Sequence, residues 1–276
     1  MSDDQNYLLR RIGERLEQSP PALAEARELI QELAEPSLLG PLSRLLQDPN
    51  ASPDAIFRAY EALAAPRRVD GVALPMLRPE NQARTAVHVA SGLLVAAAIL
   101  WVPSPSLEIA ATCAFVLVWG IEAFRQRGPE WNERINRIFD QTAHPHERTK
   151  PNSGTWYVTA LFVLAWCFSP GAALVGVAIL ALADPAASIV GRRFGRHKLR
   201  GQKSWVGSAT FFVVASGAAS LALVAGGVIL STAVPLALAA AVAATVTEAL
   251  SQRVDDNLTI PLAAALAVDA TSVLLG

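Results

Sequence analysis

The chain has 276 residues, of which 52% are hydrophobic and only 17% are charged. Soluble proteins carry about 25% charged residues, so this composition favours a membrane protein. The formal net charge of −1 argues against a nucleic-acid-binding protein, because that class has a strongly basic balance. Cys113 and Cys167 lie in apolar stretches, where we expect small buried side chains and neither a disulfide nor a metal site.

Residues 1–78 differ from the rest, being rich in Glu, Arg and Leu and interrupted by prolines. Apolar residues such as Ile12 and Leu16 recur there at helical spacing. Ser52 before Pro53 is typical of a helix start, because serine caps the first turn and proline fits its first position. We predict three or four short amphipathic helices in this region. The opening residues are too polar for a signal peptide, so we expect a cytoplasmic N-terminus.

From residue 79 to residue 276 the sequence is dominated by apolar stretches, most of which approach the roughly 20 residues that a membrane-crossing helix needs. They predict about seven spans: Ala86–Val102, Leu107–Phe124, Thr155–Phe168, Gly171–Gly191, Trp205–Leu230, Thr232–Leu250 and Leu258–Leu275. The third is short, and a buried or re-entrant segment would fit it equally well. The fold expected is an all-α polytopic transmembrane helix bundle with an N-terminal cytoplasmic helical region.

The charges between the spans predict the orientation of the bundle. Loops 125–154 and 192–203 each hold six lysines or arginines, whereas the alternate loops carry almost no charge. The positive-inside rule puts these basic loops, and the N-terminal region with them, on the inner side of the cytoplasmic membrane. We therefore expect any chemistry at the cytoplasmic rim of the bundle.

Asp184 stands inside an apolar span, where an ionisable residue is costly and indicates a functional site. Pro185 removes a backbone donor, which predicts a broken helix with Asp184 as the N-cap of a half-helix. Ser188 and Gly191 would then share its face. The alternative is a proline kink whose carboxylate reaches the interface. The basic stretch Arg192–Lys203 that follows favours a functional role.

The basic stretch ends in Lys203 and Ser204, followed by Gly207 and Ser208. Small residues around a lysine allow backbone and ammonium groups to approach a phosphate closely. The glycine spacing does not match a Walker A loop. Taken alone, this stretch is interpreted better as an anchor for anionic lipid headgroups.

A second acidic cluster lies near the end of the sequence. Glu248, Ser251 and Asp255 would share a helical face if one helix continued through them. Asp256 then starts the last span, with Pro261 expected in its first turn. Carboxylates at this rim can hold Mg²⁺ together with phosphate oxygens.

At the start of the first span, Arg84, His88 and Ser91 share a face. A single histidine near a helix end more often forms structural hydrogen bonds than it catalyses. Here, however, it is expected at the same level as the basic loops and both acidic sites. Phosphoryl or nucleotidyl transfer needs these parts, because its catalysis is mostly positioning and charge neutralisation.

Several short motifs occur in a defined order between residues 80 and 276. They are Arg84-x-x-x-His88-x-x-x-Gly92, Gly154-Thr155-x-Tyr157, Asp184-Pro185-x-Ala187-Ser188-Ile189-x-Gly191-Arg192-Arg193-x-Gly195, Lys203-Ser204-x-x-Gly207-Ser208, Glu248-Ala249-Leu250 and Asp256-Asn257-Leu258-Thr259-x-Pro261. In combination they resemble the family of dolichol kinases, phytol kinases and CTP-dependent diacylglycerol kinases, which is related to the phosphatidate cytidylyltransferases.

The resemblance implies a membrane enzyme that phosphorylates a lipid alcohol from CTP, or another nucleoside triphosphate, with Mg²⁺ or a similar cation. Together with the charge pattern it implies four catalytic residues, which are Asp184, Lys203, Asp256 and His88. The nucleotide-binding residues implied are Ser188, Gly191, Arg192, Arg193, Lys203, Ser204, Gly207, Ser208 and Asn257. The implied metal ligands are Asp184, Glu248 and Asp256.

Two residues depart from the family pattern. Val206 stands where the family usually has an acidic residue, and Thr85 stands where a lysine usually follows the arginine. The first departure indicates either altered nucleotide handling or an inactive member. Two other functions therefore stay open: a cytidylyltransferase-like CDP-lipid synthase, and a non-catalytic membrane scaffold or transporter. Transporters, however, place polar groups near the bilayer midplane rather than at one rim.

Overall fold

The computed structural model describes residues 3–16, 22–31, 39–75, 77, 82–128, 130–132, 151–195, 197–200, 203–251 and 254–275. Apart from one two-stranded sheet, the regular structure of these residues is helical. The chain divides into two units, Met1–Asn81 and Gln82–Gly276.

The N-terminal unit contains the short helices that the sequence predicts. They are α1 (Asp3–Leu16), α2 (Leu23–Gln31), α3 (Gly40–Gln47) and α4 (Pro53–Val69). Their apolar faces form a core in which Ile12, Leu16 and Tyr60 are fully or almost fully buried. The predicted cap of α4 is confirmed, since the Ser52 Oγ accepts a hydrogen bond from the Ala55 N–H at 3.2 Å.

The second unit is a helix bundle. Its helices in the described residues are α5 (Gln82–Trp101), α6 (Ser104–Arg125), α7 (Ser153–Cys167), α8 (Pro170–Phe194), α9 (Trp205–Ala225), α10 (Leu230–Leu250) and α11 (Asp256–Leu275). Of these, α6 and α8 to α11 are long and apolar enough to cross a membrane, and α5 and α7 contribute shorter apolar helical stretches. The predicted all-α membrane bundle is confirmed.

Polar caps explain where several of these helices begin. Asn152 caps α7 by accepting from the Thr155 N–H, Ser169 caps α8, and Ser204 caps α9. A serine or asparagine at this position satisfies a backbone donor that the first turn leaves free. The end of α9 at Ala225, five residues before the predicted end of its span, follows from Gly227, whose φ of 88° ends the helix.

Helix α8 is the central element of the bundle and packs against α5, α9 and α11. It runs from Pro170 to Phe194 without interruption, with Pro185 inside it. The predicted broken helix, with Asp184 as an N-cap, is therefore wrong. Pro185 lacks only its own N–H and so removes a single intrahelical hydrogen bond, while helices packed on three sides hold the remaining turns in place.

In the last helices, the condition for a shared face of Glu248, Ser251 and Asp255 is not met, and the expected position of Pro261 is wrong. Helix α10 ends at Leu250 with Ser251 as its C-cap, so Glu248, Ser251 and Asp255 do not lie on one continuous helix. The carbonyl of Thr247 accepts the Ser251 N–H, and the chain then turns before α11 begins at Asp256. Pro261 is the sixth residue of α11 and thus lies beyond its first turn.

The two cysteines are exposed on the surface of the bundle, which corrects the expectation that they are buried. In a membrane helix the lipid-facing side is as apolar as the protein-facing side. An apolar stretch in the sequence therefore does not show which of its residues the protein covers.

Candidate active site

A short hairpin links α8 to α9 and carries a central residue of the site. Strand β1 (Lys198–Arg200) pairs in antiparallel fashion with β2 (Lys203–Ser204), and Lys198 lies opposite Ser204. Ser204 is buried and its Oγ accepts the Gly207 N–H at 3.1 Å, which fixes the first turn of α9. Lys203 is thereby held next to the N-terminal end of α9, where the chain enters the bundle.

The Lys203 ammonium lies between two carboxylates from different helices. Its Nζ is 2.6 Å from Glu248 Oε1 at the end of α10 and 2.9 Å from Asp256 Oδ2 at the start of α11. Burial by itself would lower the pKa of Lys203, but the neighbouring Asp256 and Glu248 carboxylates raise this pKa above its ordinary value. The lysine is therefore a fixed positive charge at neutral pH.

The two carboxylates differ in exposure. The side chain of Glu248 is only 6% exposed, whereas those of Asp256 and Lys203 are 30% and 26% exposed. The Ser208 hydroxyl, on the first turn of α9, donates to Glu248 Oε2 at 3.2 Å. Ser208 thus fixes one oxygen of Glu248, and the other oxygen orients Lys203. Asp256 and Lys203 remain accessible to a soluble molecule.

Asp255 orients the start of α11. Its Oδ1 accepts from the backbone N–H of Asn257 at 3.0 Å and from the Asn257 side-chain amide at 2.8 Å. Its Oδ2 accepts from the Ser153 hydroxyl at 3.2 Å, which joins α7 to α11. Asp255 therefore caps α11 and directs the next residue, Asp256, toward Lys203. Sequence reasoning did not give Asp255 this function.

Asp184 and His88 join this group from inside the bundle. Asp184 is half-buried on α8 and interacts electrostatically with His88, Lys203, Asp256 and Glu248. His88 on α5 places its Nε2 3.0 Å from the Leu180 carbonyl oxygen of α8. Since a carbonyl can only accept, Nε2 carries the proton, and in the neutral imidazole Nδ1 is an acceptor.

Other residues predicted for nucleotide binding lie around this group. Ser188, Arg192 and Arg193 are exposed near the end of α8. Gly191 and Gly207 lie where α8 and α9 are in close contact, since a Cβ built on Gly191 would be 3.3 Å from the Gly207 Cα. The structure explains these glycines by helix packing. Contact of any of these residues with a nucleotide stays a prediction.

Two further residues considered in the sequence are Val206 and Arg84. Val206, the departure from the family pattern, is partly exposed on the first turn of α9, three residues after Lys203. The side chain of Arg84 lies outside the described residues.

The carboxylates of this group suit a magnesium ion that is shared with a nucleotide. Within the described ranges, no three or more His, Cys, Asp or Glu side chains are arranged to hold a metal by themselves. Mg²⁺, however, usually takes one or two protein carboxylates and completes its shell with water and phosphate oxygens. Asp184 and Asp256 can supply such a pair, whereas Glu248 is engaged by Lys203 and Ser208.

Two polar pairs in the bundle escaped sequence reasoning. Glu122 and Arg125, one turn apart near the end of α6, are both buried and form an ion pair at 2.6 Å. Their i, i+3 spacing on one helix could have indicated this ion pair in the sequence. Asp269 in α11 accepts from the backbone N–H of Ser169 at 3.0 Å and from its hydroxyl at 2.5 Å. It supports the cap of α8 at the end of the bundle opposite the Lys203 group.

Comparison with known proteins gives sequence relatives but neither a matching family model nor a matching solved structure. The chain is 29% identical over 221 residues to "Probable phytol kinase 1, chloroplastic" of Oryza sativa subsp. japonica, covering 73% of this chain and 68% of that protein. It is 29% identical over 282 residues to "Probable phytol kinase, chloroplastic" of Triticum aestivum, covering 90% of this chain and 89% of that protein. The chain is thus similar to phytol kinases, and neither relative points to a dolichol or diacylglycerol kinase.

Proposed function

We propose that this chain is a membrane lipid kinase that transfers the γ-phosphoryl group of CTP, or of another nucleoside triphosphate, to a lipid alcohol. The observation that carries the proposal is the Lys203 ammonium held between Glu248 and Asp256, with Asp184 and His88 beside it, at one end of a membrane helix bundle. The similarity to two proteins named as phytol kinases supports it and makes phytol the first acceptor to test.

On the donor side, Lys203 binds the phosphates. An ammonium group has three N–H donors, and among the described residues only Glu248 and Asp256 accept from it, so one donor remains for a phosphate oxygen. The exposed Arg192 and Arg193 attract the anionic nucleotide to this end of the bundle. A magnesium ion held by Asp184 and Asp256 would neutralise the charge that develops on the phosphates.

On the acceptor side, His88 takes the proton of the lipid hydroxyl. Its Nε2–H is fixed on the Leu180 carbonyl, which leaves Nδ1 as the proton acceptor. The acceptor oxygen forms a bond to the γ-phosphorus while the bond from this phosphorus to the β,γ-bridging oxygen breaks. The nucleoside diphosphate leaves, and the products are the phosphorylated lipid and one released proton.

The test uses the purified protein in lipid nanodiscs with Mg²⁺ and one of four acceptors: phytol, a polyprenol, diacylglycerol, or the lipid phosphate phosphatidate, which a CDP-lipid synthase would need. We expect label from γ-labelled CTP or ATP to enter at least one lipid, while label from α-labelled CTP stays in the water phase. Entry of the α-label into lipid would establish the CDP-lipid synthase instead. Absence of transfer of either label to any of these lipids would refute the kinase and favour the non-catalytic alternative.

A further inference from the structure

The hydroxyl group of Tyr157 on α7 has no hydrogen-bond partner among the described residues, although it is buried. A buried hydroxyl without a partner lowers stability, and a phenylalanine here would avoid that loss. The ring itself packs against the core of the bundle. The hydroxyl is thus unexplained by the fold and is free to bind a molecule other than the protein.

The ring of Tyr157 lies beside the imidazole of the proposed catalytic histidine. The ring centroids of Tyr157 and His88 are 6.3 Å apart. Gly92, one turn further along α5, brings this helix close to α8, because a Cβ built on it would be 2.4 Å from the Ala181 Cβ and 4.0 Å from the Tyr157 Oη. A polar pair, one donor from α7 and one acceptor from α5, is therefore enclosed by three helices.

An apolar cavity of about 270 Å³ lies deeper in the bundle on the same three helices and on α6. Its lining includes Val95 and Ile99 of α5, Val158 and Leu161 of α7, and Val177 of α8. Val95 follows His88 by seven residues, which is about 10 Å along a helix. Val177 precedes Asp184 by the same number. On α7 the cavity begins at Val158, directly after Tyr157, and on α5 and α8 it begins about two turns from His88 and Asp184.

We propose that Tyr157 and His88 bind the hydroxyl of the acceptor lipid, whose hydrocarbon chain continues into this cavity. A volume of about 270 Å³ is just below the range of about 300–1,000 Å³ typical of small-molecule sites. It accommodates part of one hydrocarbon chain and is too small to hold both chains of a diglyceride together. We therefore take a single-chain alcohol as the acceptor class. This inference rests on the proposed function, but the binding site can be tested without turnover.

The first test is Tyr157→Phe, which removes only the hydroxyl and breaks no described hydrogen bond. We expect the KM for a long-chain prenyl alcohol to increase about tenfold, with the KM for CTP unchanged. Tyr7→Phe, at an exposed tyrosine of the N-terminal unit, is the matched control and leaves both constants unchanged. An unchanged KM for the alcohol in Tyr157→Phe would overturn the proposed site.

The second test narrows the cavity. Ala111 of α6 lines it, so Ala111→Phe reduces kcat/KM for the long-chain alcohol at least about tenfold and leaves a short alkyl alcohol unaffected. Ala270→Phe makes the same change at an exposed position of α11 and has no such effect. Equal losses for short and long alcohols, or no loss for either, would contradict the cavity as the chain site.

The third test is cross-linking in nanodiscs with a long-chain prenyl alcohol that carries a diazirine on its chain. We expect labelled peptides from the four helices that line the cavity, α5 to α8, and less labelling in Tyr157→Phe. The unlabelled alcohol should compete with the probe, whereas a hydrocarbon of equal length should not. Competition by the hydrocarbon would show an annular lipid and refute the site. This pattern without phosphoryl transfer would refute the kinase alone, whereas transfer without this labelling would refute the site alone.

Discussion

Lys203 forms ion pairs with a buried carboxylate and with an accessible one, and this difference in exposure predicts different functions for the two. Glu248 is fixed by Ser208 and lies behind the lysine, so it positions the ammonium group. Asp256 is partly exposed and follows the cap residue Asp255, so it can reach a nucleotide or a metal ion. The geometry thus assigns the two carboxylates, which look equivalent in the sequence, to different tasks.

Replacing Lys203 tests the centre of this group. We expect Lys203→Met to abolish phosphoryl transfer and to lower the free energy of unfolding by about 2 kcal/mol, because Glu248 loses its counter-charge while solvent screens part of the loss. Kinase assays and thermal unfolding in detergent measure both effects. Arg127→Met, at an exposed cation at the end of α6, is the control. Retained activity in Lys203→Met would contradict the proposed mechanism.

Replacing Asp269 should lower stability and leave activity unchanged. Asp269→Ala removes the acceptor of two hydrogen bonds from Ser169 and should lower the free energy of unfolding by about 1–2 kcal/mol. The activity of each folded molecule should be unchanged, because Asp269 lies at the other end of the bundle. Thermal unfolding and kcat per folded molecule measure the two quantities. A decrease in kcat would show that this cap is coupled to the reaction.

From the sequence, candidate site residues can be predicted better than their contacts. The ordered motifs, together with the carboxylates at the ends of the spans, indicate Lys203 and Asp256, whereas the charge of the basic loop alone is typical of a lipid-headgroup anchor. The hydrogen bonds of Ser208 with Glu248 and of Ser153 with Asp255 join residues far apart in the chain. No spacing rule predicts them, because they depend on how the helices pack.

At the scale of elements, the contact of α8 with α9 is determined by small residues. A Cβ on Gly195, the C-cap of α8, would lie 2.3 Å from the Gly191 carbonyl oxygen and 2.3 Å from the Ser204 Oγ. Such a distance is far inside van der Waals contact. The end of α8 and the start of α9 can therefore meet only if this position has no side chain.

Gly195→Ala should therefore disturb both stability and activity. We expect a loss of about 1–3 kcal/mol in the free energy of unfolding, because overpacking displaces Ser204. Activity should also fall, since Lys203 precedes Ser204 in β2. Gly120→Ala is the matched control, because a Cβ at Gly120 meets no atom within 4 Å. Equal stability of the two variants, measured by thermal unfolding, would refute the packing argument.

The helices of the bundle could be predicted, because a long apolar stretch indicates a membrane span. Where a helix is interrupted or continues could not be predicted in the same way. Pro185 suggests a break when only neighbouring residues are considered, yet α8 is held by the helices that pack around it. The two strands before α9 are three and two residues long and have no periodicity that a sequence pattern could reveal. Local signals thus identify elements and fail where tertiary packing decides.

At the scale of the whole molecule, the alternation of basic and uncharged loops predicts the side of the membrane on which the site lies. A membrane-impermeant maleimide can test this in a Cys113→Ser, Cys167→Ser background. We expect Ser104→Cys, at the start of α6, to be labelled in intact cells, and His197→Cys, beside the site, only after permeabilisation. Labelling of both from the same side would contradict the proposed orientation.

The ion pair between Lys203 and Asp256 joins residues 53 positions apart in the chain. During synthesis the lysine leaves the ribosome before either of its carboxylates, because domains and helices emerge from the N-terminal side. Until α10 and α11 have inserted, headgroup phosphates are the counter-ions available to this basic loop. The proposed site is therefore completed only after α10 and α11 have been made, and a chain that ends before α10 would bind anionic lipid through this loop while lacking both carboxylates of the site.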